Sequence, residues 1–373
     1  MKISYRQLSI VVFMSFIALK LLSLPSFLYI ESKNSAWLVA LVLMLVDALY
    51  TFLIINLMKK CNYKNINEFM EKTLGKPLTK CILALLLIKF ALTVANISKG
   101  LEFFVIENFY DDFSWTLFVF PLVILCGFMM YKGIRNISRV FEMFVWAILV
   151  GCVYIAVKSI PGVDPYIYMP FLKDGITPLL SSAYTYIMWF GSSTFLIMLF
   201  GHVDFKDEKK SKMIIYIILA IALVQFMFFV FYGLFDVTSP THTFAVSDIS
   251  QFSSGRSSID ELSWLVVSLW VVAQALQIAL FGYCLMLTIM YLFNIKSKVI
   301  PVLLIDSYLI FWSYLGANTI NLESIFFSDF VSVTCIFTQY IIPLILWIGY
   351  AVTSYKNKSI NGAKYERKNK KHI

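Results

Sequence analysis

Long apolar runs separated by short polar segments dominate this chain. A helix rises 1.5 Å per residue, so roughly 20 apolar residues are enough to cross the hydrocarbon of a bilayer. The runs predict ten transmembrane helices, numbered here as spans 1 to 10. Their ranges are 8–30, 36–57, 80–106, 115–131, 139–158, 179–201, 213–235, 262–292, 299–317 and 331–353.

Span 1 contains two residues that disturb a membrane helix. Lys20 lies near its middle and Pro25 follows in the next turn. A charge at membrane depth costs on the order of 3 kcal/mol, and proline removes a backbone donor and clashes with the preceding turn. Together they predict an interrupted helix that lines a polar cavity. The alternative is that Pro25 only kinks the helix while Lys20 extends its ammonium to a membrane surface.

Span 6 carries a small and polar segment in its middle, where Gly191 is followed by three hydroxyl residues. This pattern predicts an unwound segment, although small residues are also enriched where two membrane helices touch. Span 6 opens the second group of five spans, as span 1 opens the first. Interruptions at matching positions favour an all-α, LeuT-like 5+5 inverted repeat with a ligand site near the midplane.

In such a fold, the free N–H groups at a helix break are expected to hold a substrate carboxylate. Span 8 adds Gln274, Gln277 and Phe281, which share one helix face. The candidate ligand-binding residues are Ala18, Leu19, Lys20, Asn96, Gly191, Ser192, Ser193, Thr194, Gln277 and Phe281.

Several ionisable residues fall inside the predicted spans, where such side chains usually face the bundle interior and pair. Lys99 and Glu102 are three apart and share a helix face. The partner of Asp47 is either Lys20 or Lys89. The residues predicted to form a buried charge network are Asp47, Lys99, Glu102 and Glu142.

Composition supports a membrane protein, since 60% of the 373 residues are hydrophobic and only 14% are charged. The net charge of +9 would favour a nucleic-acid partner in a soluble protein. Here 24 Lys and Arg residues fall in one set of segments between spans and four in the opposite set. This asymmetry predicts that both termini are cytoplasmic, and we expect the lipid bilayer, not nucleic acid, as the surrounding partner.

Neither metal nor enzyme chemistry is indicated. The six cysteines and three histidines have no metal-binding spacing, so no cofactor is expected. The common hydrolase, metalloprotease and nucleotide-binding motifs are missing, and we expect no enzymatic activity. The first apolar run is too long for a signal peptide and is expected to be retained.

The segments between spans predict three further features. Residues 66–74 form a short amphipathic helix on the cytoplasmic side, which either docks a partner or packs under the bundle. The external loops 159–178 and 236–261 are lids, contact surfaces or ordinary solvated loops. Residues 1–355 are expected to form one permease-like domain, followed by a basic, disordered tail at 356–373.

Several short motifs resemble those of one family, the B subunits of bacterial spore germinant receptors. These endospore germination permeases belong to the amino acid–polyamine–organocation superfamily. The motifs are Leu21–Pro25, Leu74–Lys76, Ser138–Glu142, Pro170–Gly175, Trp270 and Gly282–Tyr283. The chain departs from the family pattern where Ala18 and Lys20 replace glycines and where Thr194 replaces an acidic residue.

The resemblance implies a subunit that senses nutrient germinants in the spore inner membrane. It would bind a small molecule, expected to be an amino acid, between spans 1, 3, 6 and 8, and would work with an A subunit and a lipoprotein C subunit. The alternative is a secondary amino acid transporter coupled to H⁺ or Na⁺. Lys20 is expected either to bind a ligand carboxylate or to stand where related transporters hold Na⁺.

Overall fold

The computed structural model describes residues 2–61, 65–109, 115–169, 172–173, 175–206, 210–254, 261–318 and 323–369, and they are almost entirely helical. Their α-helices, in chain order, are α1 Tyr5–Ala18, α2 Leu24–Ser32, α3 Ala36–Lys60, α4 Ile66–Leu74, α5 Lys76–Phe109, α6 Trp115–Lys132, α7 Ile134–Ser159, α8 Thr177–Thr185, α9 Phe195–Met198, α10 Lys210–Phe235, α11 Ala245–Ser254, α12 Glu261–Phe293, α13 Val299–Asn318, α14 Glu323–Phe326, α15 Asp329–Ile336 and α16 Ile342–Asn369. The disorder of 356–373 stays a prediction.

Among the described residues, six helical segments are long and apolar enough to cross a membrane. They are Leu24–Lys60, Lys76–Asn108, Ile134–Gly162, Ser211–Thr241, Trp264–Phe293 and Asp329–Tyr355, with shorter apolar helices at Tyr5–Ala18, Phe118–Lys132 and Val299–Leu315. The chain is therefore an all-α, multi-pass membrane protein. The exact number of ten spans and the inverted repeat stay predictions.

α12 lies at the centre of the bundle and α7 at its edge. In the most apolar window of α12, 72% of the residues are buried, whereas the corresponding share in α7 is 39%. The outward faces of α6, α7 and α13 expose large apolar side chains such as Phe128, Trp146 and Leu303. Apolar side chains on the outside of a helical bundle of this composition are suited to contact with lipid.

The helix of span 1 breaks near its middle, as predicted. α1 ends at Ala18 and α2 begins at Leu24. Pro25 lies in the first turn of α2, where its missing N–H is no loss, because the first N–H groups of a helix have no intrahelical partner. The proline therefore starts the second half-helix and does not kink a continuous one.

Span 6 is broken over a longer stretch. α8 ends at Thr185, and two 3₁₀ turns follow at Ile187–Trp189 and Ser192–Thr194. Gly191 lies between these turns with φ +70°, in the left-handed region. This backbone conformation favours glycine, because a side chain at positive φ is strained.

A short parallel β-pair joins the ends of the two broken spans. β1, Ile3–Ser4, precedes α1 directly, and β2, Val203–Asp204, follows α9. The Ile3 N–H donates to the His202 carbonyl at 2.8 Å. The pair ties the first half of span 1 to the last half of span 6.

α4 is the amphipathic helix predicted for the first cytoplasmic loop. Asn65 caps its start by accepting the Glu68 N–H at 2.8 Å. Ile66, Phe69 and Met70 are fully buried, so the apolar face packs against the bundle and offers no free apolar surface to a partner.

α11 is a helix inside the stretch 236–261, which was predicted as a loop. The Ala245 N–H at its start donates to the Leu22 carbonyl at 3.1 Å, within the break of span 1. The Ser26 hydroxyl donates to the His242 carbonyl just before it. Val246 and Ile249 are fully buried, so this segment is anchored to the broken helix and is not an ordinary solvated loop.

Candidate functional site

Four residues join the two helix breaks through one fully buried cluster, the break cluster of Lys20, Asp47, Gly191 and Ser192. Asp47 Oδ1 accepts the Gly191 N–H at 2.7 Å, and Oδ2 accepts the Ser192 N–H at 3.3 Å. Lys20 Nζ donates to Ser192 Oγ at 2.7 Å and lies 3.5 Å from Asp47 Oδ2. Both charged side chains are 0% exposed. Of the two alternatives for Asp47, the structure selects Lys20 as its partner.

Two aromatic rings and the helix-end N–H groups support this ion pair. Lys20 Nζ lies 5.1 Å from the ring centroid of Phe16 and 5.2 Å from that of Phe190. Removing two charges from water is costly, and good geometry with further hydrogen bonds is needed to offset that cost. The N–H groups that we expected to hold a substrate carboxylate are occupied here by the carboxylate of Asp47.

The carbonyl groups freed by the span 6 break are also satisfied by side chains. Gln339 Nε2 donates to the Phe190 carbonyl at 3.0 Å. Lys89 Nζ lies 3.4 Å from the Met188 carbonyl and 3.4 Å from Cys335 Sγ. Irregular backbone at membrane depth persists only where such partners replace the lost helix bonds.

Gln339 is a site residue that the sequence reasoning missed. It lies in a π-helical turn, Phe337–Ile341, and a Cβ added to Gly191 would overlap its side chain. π-turns often mark functional positions. An amide inside an apolar run was the available signal, but only the ionisable residues of the spans were considered.

A cavity of about 290 Å³ lies beside the break of span 1. Its polar lining consists of Ser23, Asn96, Lys99, Glu107, Thr243 and Gln274. Gln274 Nε2 also donates to the Ala18 carbonyl at 2.7 Å. The cavity is therefore in contact with the backbone of the first break.

The opposite wall of the cavity is aromatic. Phe27, Trp189 and Phe327 line it, and their ring centroids are 5.2 to 5.7 Å apart. Trp189 ends the first 3₁₀ turn of the second break. Both interrupted spans thus contribute to one cavity with a polar and an apolar side.

The candidate ligand residues separate into three groups. Leu19 and Asn96 line the cavity, and Ala18 reaches it through the hydrogen bond from Gln274. Lys20, Gly191 and Ser192 belong to the break cluster.

Ser193, Thr194, Gln277 and Phe281 are buried and do not line this cavity. Thr194 Oγ1 donates to the Gly191 carbonyl at 2.7 Å. The polar side-chain atoms of Ser193 and Gln277 have no hydrogen-bond partner within the described part of the chain.

The four charges predicted to form one network lie in separate pairs among the described residues. Asp47 pairs with Lys20. Lys99 Nζ lies 3.4 Å from Glu102 Oε2, which also accepts the Ser313 hydroxyl at 3.0 Å. Glu142 pairs with Arg6 near the start of α1. Lys99 and Glu102 meet as their spacing predicted.

Sequence comparison supplies the family. A family model described as "Spore germination protein" matches residues 2–320. The chain belongs to the spore germination protein family. The predicted resemblance to the B subunits of germinant receptors is thereby confirmed. The family is one of permease-like membrane proteins and not an enzyme class, while the expected lack of enzymatic activity stays an expectation.

A curated relative agrees with this assignment. Spore germination protein KB from Bacillus subtilis (strain 168) is 27% identical to this spore germination family member over 220 residues. The alignment covers 57% of this chain and 58% of the relative. The chain thus matches a little more than half the length of that protein.

In this spore germination family member, α11 carries a carboxyl group that titrates near neutral pH. Burial raises the pKa of Asp248 to about 7, and the nearby Glu107 carboxylate acts in the same direction. Asp248 Oδ2 accepts the Phe244 N–H at 3.1 Å and lies 3.9 Å from His242 Nδ1. Phe244 lines the cavity, so this carboxyl group is one residue contact away from it.

We expect the protein to lose stability as the pH rises from about 4 to about 7. Across that range the folded state keeps a proton on Asp248 that the unfolded chain, with an ordinary pKa of 3.8, has released. Each step up in pH therefore favours the unfolded state. The test measures the thermal unfolding midpoints of the wild type and of Asp248→Asn at pH 5 and at pH 8. Between these pH values the midpoint of the wild type should fall by more than that of the variant. An equal fall in both proteins would contradict the prediction. Burial lowers the pKa of His242, which opposes the effect below about pH 6.5 in both proteins.

Proposed function

We propose that this chain is the nutrient-sensing subunit of a spore germination receptor, and that it binds a small molecule, an amino acid, in the cavity beside the first break. The observation that carries the proposal is the position of the cavity. Leu19, Leu22 and Ser23 of the first break and Trp189 of the second line the same space. A bound molecule therefore contacts both interrupted spans, in a protein whose family is named for spore germination.

Binding would act by shifting the population between two arrangements of the bundle. The break cluster holds spans 1, 2 and 6 together through hydrogen bonds of 2.7 to 3.3 Å and the 3.5 Å ion pair of Lys20 and Asp47. A molecule in the cavity pushes on or braces the half-helices that this cluster joins. A small displacement at the breaks is then passed to the whole length of each half-helix, because helices move as rigid elements.

The proposal includes the architecture and the setting of the receptor. We propose ten spans in a 5+5 inverted repeat, with both termini in the cytoplasm because of the Lys and Arg distribution. We further propose that the chain lies in the spore inner membrane and works with a receptor A subunit and a lipoprotein C subunit. The family membership supports this setting.

A second candidate function is secondary transport of amino acids coupled to H⁺ or Na⁺. The observation that favours it is the buried pair of Lys20 and Asp47 at the junction of two broken helices. Charged groups at such positions serve as relays or ion sites in transporters.

Purified full-length protein in liposomes distinguishes the two functions. Labelled amino acids are added under imposed H⁺ or Na⁺ gradients, with protein-free liposomes as the control. For a sensor we expect saturable binding without accumulation. Accumulation of an amino acid above equilibrium, lost when the gradient is abolished, would show that the chain is a transporter and not a sensor. The absence of any saturable amino acid binding would contradict both.

A further inference from the structure

One wall of the cavity is a single stripe of α5. Asn96, Lys99 and Phe103 line it, and their three- and four-residue spacing places them on the same helix face. The stripe offers an amide, an ammonium and an aromatic ring to a molecule inside the cavity, and Glu107 adds a carboxyl group one turn beyond Phe103.

The Lys99 ammonium has unused hydrogen-bonding capacity. Its side chain is only 6% exposed, yet it lines the cavity. An ammonium carries three donors, and in the described part of the chain the one hydrogen bond is the 3.4 Å contact with Glu102. The Phe103 ring centroid lies 4.2 Å away on another side. Glu102 Oε2 also accepts the Ser313 hydroxyl at 3.0 Å, so this oxygen is shared between two donors.

Asn96 lies one turn before Lys99 on α5. It is half-buried and lines the cavity, and the described residues provide no hydrogen bond to its amide. An amide NH₂ and an ammonium on consecutive turns of one helix form a suitable donor pair for a carboxylate.

The donors that would compete for a ligand carboxylate are already engaged. The Gly191 and Ser192 N–H groups are bound by Asp47. Lys20 is fully buried, donates to Ser192 Oγ and does not line the cavity. A carboxylate in the cavity therefore meets Lys99 and Asn96 of α5 and the hydroxyl of Ser23, and not the donors of the break cluster.

We propose that Lys99 and Asn96 bind the carboxylate of a small ligand, whose apolar part lies against Phe27, Trp189 and Phe327. The ligand class is a monocarboxylate with an apolar body, which includes the apolar amino acids. This inference rests on the proposed sensing function and adds which residues bind the carboxylate of the ligand. It separates recognition on α5 from the break cluster, whose ion pair is completed by the protein itself.

The test compares each of the twenty L-amino acids with its amide, which lacks the carboxylate charge. Binding to full-length protein in nanodiscs is measured by calorimetry. For the amino acid that binds most tightly, we expect its amide to bind at least about tenfold more weakly. The reason is that hydrogen bonds to charged groups are roughly twice as strong as those between neutral groups. Equal affinity for acid and amide would overturn the inference.

The variant Lys99→Gln/Glu102→Gln tests the assignment without leaving one buried charge unpaired. In this variant the affinity for the amino acid should fall to that for its amide, while the affinity for the amide stays unchanged. Asn96→Leu keeps the ion pair and should also weaken the acid more than the amide. Lys72→Gln is the matched control, because this exposed lysine on α4 does not line the cavity.

The outcomes separate this inference from the proposed function. If an amino acid binds but the variants weaken acid and amide equally, carboxylate recognition by Lys99 is wrong and sensing stands. If the double variant does not fold, the acid-to-amide ratio of Asn96→Leu decides. If no amino acid binds, the proposed function fails, and 4-methylpentanoate becomes the probe. The inference then stands if 4-methylpentanoate binding depends on Lys99 and Asn96, and falls if there is no saturable binding.

Discussion

Replacing Lys20 by methionine is expected to destabilise the folded protein by about 3–5 kcal/mol, the range found when one partner of a buried ion pair is removed. The substitution leaves Asp47 fully buried and without its cation. Methionine has nearly the length of lysine, so the loss reports on charge more than on volume. The midpoint of thermal unfolding in detergent and the fraction of monodisperse protein both measure this effect.

The double variant Lys20→Met/Asp47→Asn serves as the internal control. Asparagine is neutral and its oxygen can still accept the Gly191 N–H that Asp47 binds at 2.7 Å. We expect it to recover part of the stability, so that the two single effects do not add. Lys72→Met on α4 removes an exposed ion pair with Glu68 and should change stability by less than about 1 kcal/mol. Additive losses in the double variant would show that Lys20 and Asp47 do not act as a pair.

Gly191→Ala is expected to have the second large effect. The new Cβ would stand at φ +70° and overlap the Gln339 side chain. The backbone term alone costs roughly 1–2 kcal/mol. Moving Gln339 also breaks its bond to the Phe190 carbonyl, and a buried acceptor without a partner costs about 1–3 kcal/mol more. The midpoint of thermal unfolding and the affinity for amino acids should both fall.

Gly175→Ala isolates the backbone part of this effect. Gly175 has φ +84°, and within the described residues a Cβ there would meet no atom within 4 Å. We therefore expect it to lose only the backbone term, which leaves Gly191→Ala clearly the more damaging. Gly191→Ala/Gln339→Ala removes the overlap and should recover part of the loss. Equal effects at the two glycines would contradict a role for the contact with Gln339.

The pattern of apolar runs predicted the membrane class and the positions of the helices, because hydrocarbon permits few ways to satisfy a backbone. The two breaks were also predictable, since Lys20 with Pro25 and Gly191 with its hydroxyl neighbours are locally incompatible with a plain membrane helix. The pair of Lys99 and Glu102 followed from helical spacing. In each case the information lies within a few residues of the feature.

Partner choice between distant spans could not be predicted in this way. The sequence allowed Lys20 or Lys89 for Asp47, and packing selects Lys20. The sequence reasoning predicted a loop where α11 lies. It missed this short helix because the helix is held by contacts with the break of span 1, which lies far away along the chain. Gln339 was missed for the same reason, since its partner is the carbonyl of Phe190.

The sequence by itself determined that this is a multi-pass membrane protein with two weakened spans, because both properties depend on local polarity and helix propensity. Only the tertiary structure decided that the N–H groups of one break are bound by the protein's own Asp47. It also left Lys99 and Asn96 facing the cavity. The physical reason is that hydrogen bonds between spans depend on how helices rotate and pack against each other, which no spacing within a single span records.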